Sequence, residues 1–236
     1  MKLVSSLQNP LVKKVRLLQE SVRARREENL VVVEGKKTLQ ELTAKRPARM
    51  LFTLDPEIDY PAEESYQITE QVLKKMTDVP SPEGVLALLE RPKEETLRGE
   101  KILALDRIGD PGNLGTLIRT AFAFGFDGIY LLDGTSDPFS PKALRAAKGA
   151  SFYLPYATGD EGAFLKWAKE YTLIAASMEG SSLEKIEGPV CLILGSEHHG
   201  VSPALKSKSR LVSIPMRPDA ESLNVAVAGG ILMSRL

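Results

Sequence analysis

The chain has 236 residues, 43% of them hydrophobic, which is enough to fill one large core or two small ones and excludes disorder as its dominant state. Its formal charge is zero, from 31 Lys/Arg and 31 Asp/Glu, but the charge is segregated: residues 1–50 carry twelve basic and five acidic side chains, and residues 51–100 carry five and twelve. The single cysteine, Cys191, lies inside the apolar run Val190–Leu194, which excludes an internal disulfide and a thiolate metal cluster. A reducing, cytoplasmic setting is therefore expected. With no signal-like start and no apolar run of about eighteen residues, no membrane partner is expected.

Asn9-Pro10 followed by Leu11, Val15, Leu17 and Leu18 predicts a first helix with an apolar stripe and basic flanks. Strands are expected at Leu30–Val33 and Met50–Leu54, with a helix over Lys36–Ala44 between them. A short helix at Gln71–Met76 and a closing strand at Gly84–Leu89 complete a small α/β unit. The charged stretch Arg91–Glu100 reads as a linker, so the domains are placed at 1–95 and 96–236. Beyond it, apolar strands at 102–105, 129–132, 172–176, 190–194 and 211–214 alternate with helices near 114–124, 141–149, 161–170, 203–207 and 225–235. That alternation predicts a parallel sheet covered on both faces, with its ligands beyond the carboxyl ends of the strands.

Three segments fall at such ends. In Asp110-Pro111-Gly112-Asn113-Leu114-Gly115-Thr116-Leu117-Ile118-Arg119, Asn113 is placed as a helix N-cap, Gly125 ends the helix, and Arg119 offers a fixed guanidinium for a phosphate or an oxyanion. A capped surface helix with a solvated arginine is the plainer reading of that segment alone. In Leu194-Gly195-Ser196-Glu197-His198-His199-Gly200, a buried strand enters a turn whose two glycines let a ligand press against the backbone. The neighbouring His198 and His199 are the only histidines and point in different directions, so no metal is expected. In Ile214-Pro215-Met216 and Glu221-Ser222-Leu223-Asn224-Val225, Ser222 is placed as the cap of the last helix. The small residues Ala226, Ala228, Gly229 and Gly230 give that helix a slim face for a ligand or another chain.

In this order, Asn-x-Gly-x-x-x-Arg, Gly-x-Glu-x-x-Gly and Ile-Pro-Met with Ser-Leu-Asn-Val resemble the three motifs of the SpoU (TrmH-type) branch of the SPOUT RNA methyltransferases. The resemblance covers residues 101–236 and takes in Asp137–Lys142 and Gly149–Phe152. More loosely, Leu7–Pro10 through Val33–Gly35 is similar to the ribosomal-protein-like substrate-binding domain that many members carry.

The resemblance implies an α/β fold whose C-terminal parallel-sheet domain holds a deep trefoil knot, which elementary topology rules would have excluded. It implies S-adenosylmethionine as cofactor, held around Leu194, Gly195, Ser196, Gly200, Ile214, Met216, Ser222 and Leu223. It makes Arg119 the residue that engages a ribose 2′-hydroxyl, with Asn113, Glu197, Ser222 and Asn224 shaping the pocket. A guanidinium stays protonated, so Arg119 is expected to bind the neighbouring phosphate and stabilise the emerging alkoxide rather than act as a base. Homodimers are implied. Ribosomal RNA is the first expected partner and transfer RNA the second, held in part by Lys13, Lys14, Arg23, Arg25 and Arg26.

Two departures stand out: Lys148 where a small residue is common, and a last helix that stops at Leu236. Three alternatives remain at this stage. One is a non-catalytic RNA-binding or ribosome-assembly protein, against which the full set Asn113, Arg119, Glu197, Ser222 and Asn224 speaks. Another is a nucleotide-dependent oxidoreductase, for which Gly109, Gly112 and Gly115 have the wrong spacing. The third is a methyltransferase acting on a base nitrogen.

Overall fold

The apolar runs of the sequence resolve into two sheets in a computed structural model that describes every residue except Pro218 and Ala220. In chain order the first unit contains β1 (Lys2–Val4), α1 (Pro10–Glu20), α2 (Val22–Glu27), β2 (Leu30–Glu34), α3 (Lys36–Thr43), β3 (Ala48–Thr53), β4 (Ala62–Ile68), α4 (Glu70–Met76) and β5 (Val85–Glu90). Its five-stranded sheet runs β1-β4-β3-β5-β2, with β5 antiparallel to both β2 and β3 and the other pairs parallel. Asn9 starts α1 by accepting the Leu11 N–H at 2.9 Å, and Pro10 fills the first turn, where a missing N–H costs nothing. Val12, Val15 and Leu18 then face a core shared with Val32, Phe52, Met76 and Leu88.

The rest of the chain contains β6 (Lys101–Asp106), α5 (Pro111–Ala123), β7 (Gly128–Leu132), α6 (Pro141–Ala147), β8 (Tyr156–Gly159), α7 (Glu161–Trp167), β9 (Thr172–Ser182), β10 (Val190–Gly195), α8 (Pro203–Lys206), β11 (Arg210–Ser213) and α9 (Val225–Met233), all belonging to the second unit except most of α6, which falls in the first. By compactness the chain divides into Met1–Pro92 with Phe139–Arg145, and Lys93–Pro138 with Ala146–Leu236. The six-stranded sheet β11-β9-β10-β6-β7-β8 is parallel throughout. Its central strands β6 and β10 are almost wholly buried, as expected for a sheet covered on both faces.

The order of strands brings the C-terminal ends of β6 and β10 side by side, Asp106 being the register partner of Gly195. After β11 at the sheet edge the chain returns to the middle, where α9 lies against α5 and β10. Gly229 makes that approach possible. A Cβ there would fall 2.4 Å from Leu117 Cδ2 and 2.7 Å from Leu194 Cδ1. The slim face expected on α9 is thus spent, at Gly229, on the chain's own core. This return is the path along which the implied knot would be threaded.

Elements absent from the sequence reading are short or polar. β1 has three residues, β8 has four, α2 buries only Ala24 and Arg25, and β4 (AEESYQI) buries only Tyr66 and Ile68. The charged stretch after Arg91 is pinned within the second unit. Leu97 is buried, its carbonyl accepts the Trp167 indole N–H at 3.4 Å, and the Glu95 N–H donates to the Tyr156 carbonyl at 2.9 Å. No helix among the described residues is long and apolar enough to cross a membrane.

Candidate active site

Three loops meet at the carboxyl ends of β6, β10 and β11, and one chain of hydrogen bonds joins them. The Asn224 side-chain amide donates to Asn113 Oδ1 at 3.1 Å, and Asn113 Nδ2 donates to Glu197 Oε1 at 2.5 Å. These residues lie 111 and 84 positions apart, so the contact exists only because the sheet order brings the loops together.

The caps behind this relay differ from the sequence reading. α5 is capped by Asp110, whose carboxylate accepts the Asn113 N–H at 2.8 Å. Asn113 therefore sits inside the first turn, which frees its side chain for the relay. α9 is capped by Asn224 instead of Ser222: Asn224 Oδ1 accepts from Ala226 N at 2.9 Å and Val227 N at 3.3 Å. A side chain two residues nearer the helix reaches its free N–H groups, and the Ser222 hydroxyl remains exposed. Asn224 thus orients itself with its oxygen and serves the relay with its nitrogen.

The turn after β10 is folded tightly on itself. The Gly200 N–H donates to the Ser196 carbonyl at 2.8 Å, the His199 N–H donates to Ser196 Oγ at 3.2 Å, and Gly200 has φ +64°. A Cβ on Gly195 would lie 2.0 Å from the Gly200 carbonyl carbon, so only glycine allows this closure. Glu197, His198 and His199 are exposed on the turn, and no group of three His, Cys, Asp or Glu among the described residues is arranged to hold a metal.

Arg119 lies on α5 about 9 Å along the helix axis from Asn113. It is exposed and has no side-chain partner among the described residues. The structure therefore assembles Asn113, Glu197 and Asn224 by direct contact, with Arg119 and Ser222 open to solvent. Sequence reasoning missed Asp106 and Arg107. The signal for the first was an acid ending an otherwise apolar strand, Ile102-Leu103-Ala104-Leu105-Asp106.

Among the residues proposed to hold RNA, Arg25 must be corrected. It is 2% exposed, and its guanidinium donates to the Leu18 carbonyl at 2.6 Å and the Gln19 carbonyl at 3.0 Å, closing the end of α1. Lys14 pairs with Glu28 at 2.8 Å and Arg23 with Glu27 at 2.6 Å, whereas Lys13 and Arg26 are exposed.

Residues 100–234 match the SpoU rRNA Methylase family, and residues 9–87 match the MRM3-like substrate binding domain. The chain belongs to the SpoU methylase family. One relative is the 23S rRNA (guanosine(2553)-2′-O)-methyltransferase RlmP of Bacillus subtilis, 32% identical over 100% of this chain and 99% of that protein. Among solved structures, an AdoMet-bound rRNA methyltransferase from Sinorhizobium meliloti aligns with TM-score 0.88 and 31% identity over 99% of this chain and 96% of that one. An RNA 2′-O ribose methyltransferase structure aligns with TM-score 0.83 and 28% identity, covering 99% of this chain and 97% of that one. As a SpoU methylase the chain has the α/β SPOUT fold, is a methyltransferase and uses S-adenosylmethionine.

The residues at the meeting point fit that cofactor. The Gly195–Gly200 turn offers bare backbone, while Ile214, Met216 and Leu223, all at least partly open, offer apolar contact for a purine ring. Those residues would hold the cofactor, and Asn113, Glu197 and Asn224 would border it.

Proposed function

We propose that the chain methylates a ribose 2′-hydroxyl of ribosomal RNA. The relay Asn224–Asn113–Glu197 carries this reading, because it joins all three motif loops around one point and mere RNA binding has no need of it. The relatives named as 2′-O-methyltransferases support the ribose over a base nitrogen, and the one named for 23S rRNA supports ribosomal over transfer RNA.

S-adenosylmethionine supplies an electrophilic methyl group on a sulfonium. When that methyl group passes to a 2′-hydroxyl, the chain's own part is to hold the hydroxyl in line and let its proton leave to solvent. Positioning is the protein's main contribution, since a correctly held pair of reactants can gain orders of magnitude in rate. The relay fixes the pocket wall. Arg119, exposed and uncommitted, binds the phosphate beside the ribose and donates hydrogen bonds to the oxygen as its charge develops.

In this reading RNA is held by the substrate-binding domain, residues 1–95, through Lys13 and Arg26, with Lys14 and Arg23 joining once they leave their acidic partners. The methyltransferase domain is residues 96–236. The active form is a cytoplasmic homodimer. Phe122, Phe124 and Val227, on α5, just after it and on α9, are 48%, 44% and 51% exposed, an apolar surface suited to a second copy.

Radiolabelled methyl transfer to separate ribosomal and transfer RNA pools lacking the modification, followed by nuclease digestion, tests the proposal. Label on a ribose of ribosomal RNA is the expected result. Label on a base would overturn the acceptor, label in transfer RNA alone would overturn the substrate, and cofactor binding without label in any pool would favour a non-catalytic role.

A further inference from the structure

Asp106 ends the central strand β6 and is 1% exposed, although every other residue from Ile102 to Leu105 is apolar. A carboxylate is costly in such a place unless each oxygen is engaged, and here both are. Oδ2 accepts the Ser202 N–H at 2.8 Å across 96 residues of chain. Arg107 Nε donates to Oδ1 at 2.8 Å and Arg107 Nη2 to Oδ2 at 3.2 Å. To fold its guanidinium back in this way, Arg107 stands at φ +57°, a conformation that non-glycine residues avoid.

The two ends of the turn after β10 both meet Asp106, the entry at its backbone and the exit at its carboxylate. At its entry Gly195 is the register partner of Asp106, and at its exit Ser202 donates to it. Ser202 is itself fixed as the cap of α8, accepting the Leu205 N–H at 3.4 Å, and Val201 beside it is buried. Within the turn, the Ser196–Gly200 and His199–Ser196 contacts and the bare Gly195 keep the backbone closed, and Asn113 holds the Glu197 side chain. Among the described residues the Asp106 carboxylate hydrogen-bonds Ser202 and Arg107 and none of Ser196 to Gly200, so it engages the turn from outside.

We propose that Asp106 is a positioning residue for the cofactor: by clasping the Ser202 N–H it holds the Ser196–Gly200 turn in the closed shape that receives S-adenosylmethionine. This rests on the reading of that turn as cofactor-binding. Asp106 acts through the turn, so its loss lowers cofactor affinity more than turnover at saturating cofactor. Arg107 orients the carboxylate and balances its charge, and charge-assisted hydrogen bonds of this kind are roughly twice as strong as neutral ones.

The test uses the full chain as wild type, Asp106→Ala and Asp106→Asn. It measures calorimetric titration with S-adenosylmethionine, amide hydrogen exchange at 199–202, and methyl-transfer kinetics. In the alanine variant the expected result is about a tenfold weaker affinity and higher KM for the cofactor, kcat within about threefold, and faster exchange at Ser202. The asparagine variant is nearly isosteric and retains an oxygen for Ser202, so it should recover most of the loss. It also decides the matter if the alanine variant does not fold: a KM raised by about threefold supports the clasp, and an unchanged KM overturns it. Unchanged affinity in a folded alanine variant, or a fall in kcat with KM unmoved, overturns the proposal. Wild-type protein that binds no S-adenosylmethionine would instead overturn the reading of the turn, and the proposal with it.

Discussion

The two units use their polar side chains differently. In the second, polar groups far apart in sequence converge on one place: Asn224 on Asn113, Asn113 on Glu197, and Ser202 on Asp106. In the first, charged groups form exposed pairs spread over the surface, Arg23 with Glu27 and Arg16 with Glu20 each within one helix, Lys14 with Glu28, Arg16 with Asp78, and Arg49 with Glu63 and Glu90, while Arg25 closes a helix end. Long-range convergence costs chain entropy and gives a specified geometry. Exposed pairs contribute roughly 0–1 kcal/mol each and can be exchanged for another partner such as a phosphate. The first pattern is that of a pocket, and the second suits the RNA-holding role proposed above for that surface.

The largest effect that could break this contrast is at Arg119, which is exposed and has no side-chain partner among the described residues. Arg119→Lys should reduce methyl transfer to near background while cofactor affinity and melting temperature stay at wild-type values. Lysine retains the charge but not the planar fork, so single-turnover rates at saturating RNA separate geometry from charge. Normal turnover in this variant would remove Arg119 from the mechanism.

Next comes the relay. Asn113→Ala removes both of its long-range hydrogen bonds and leaves the Asp110 cap in place, because the cap uses the Asn113 backbone. With about 1 kcal/mol for each of two bonds and the pocket wall loosened, the expected loss in kcat/KM is about one to two orders of magnitude, with little change in stability. A stability loss without a kinetic one would mean that the relay is architecture alone.

In the first unit the same logic separates two arginines. Charge reversal at exposed Lys13 and Arg26 should weaken RNA binding and flatten its dependence on salt, by about 0.7–0.9 in the log–log slope for each phosphate that is no longer neutralised. Arg25→Met should leave that slope unchanged and cost about 1–3 kcal/mol of stability, because the Leu18 and Gln19 carbonyls lose their donor. Filter binding over a salt series, alongside denaturant melts, distinguishes them. Equal salt slopes in the two variants would return Arg25 to the RNA surface.

The same difference explains what was legible in the sequence. Strands such as Val190–Leu194 and the parallel alternation could be read because a doubly covered sheet needs continuous apolar runs. Arg119, Glu197 and Asn224 stood out through motif spacing. The caps did not, since Asp110 and Asn113, or Ser222 and Asn224, are all competent capping residues, and only the backbone angles at each helix start choose between them. Arg25 was illegible for a related reason: within Arg23-Ala24-Arg25-Arg26, composition cannot tell which side chain turns inward. Asp106 needed Ser202, 96 residues away, to acquire a meaning.

The smallest expected effect tests whether the first unit also keeps a specified polar cluster. Glu34, at the end of β2, accepts from Thr77 Oγ1 at 2.6 Å and Gln19 Nε2 at 3.1 Å. Burial pushes its carboxyl above the usual carboxylate range, outweighing the Thr77 bond and the charge of Arg145, both of which pull it down. A carboxyl whose folded pKa exceeds its unfolded one binds more protons when folded. Its favourable contribution is therefore complete below the unfolded pKa and is lost as pH rises through the folded value. Glu34→Gln should remove this loss, since an amide can serve Thr77 and Gln19 without carrying charge. Melts from pH 4 to 8 should show the variant gaining on wild type as pH rises, with the two curves parallel once Glu34 is fully ionised. A variant that instead falls behind at high pH would show that the ionised carboxylate is held by Arg145 more strongly than burial opposes it.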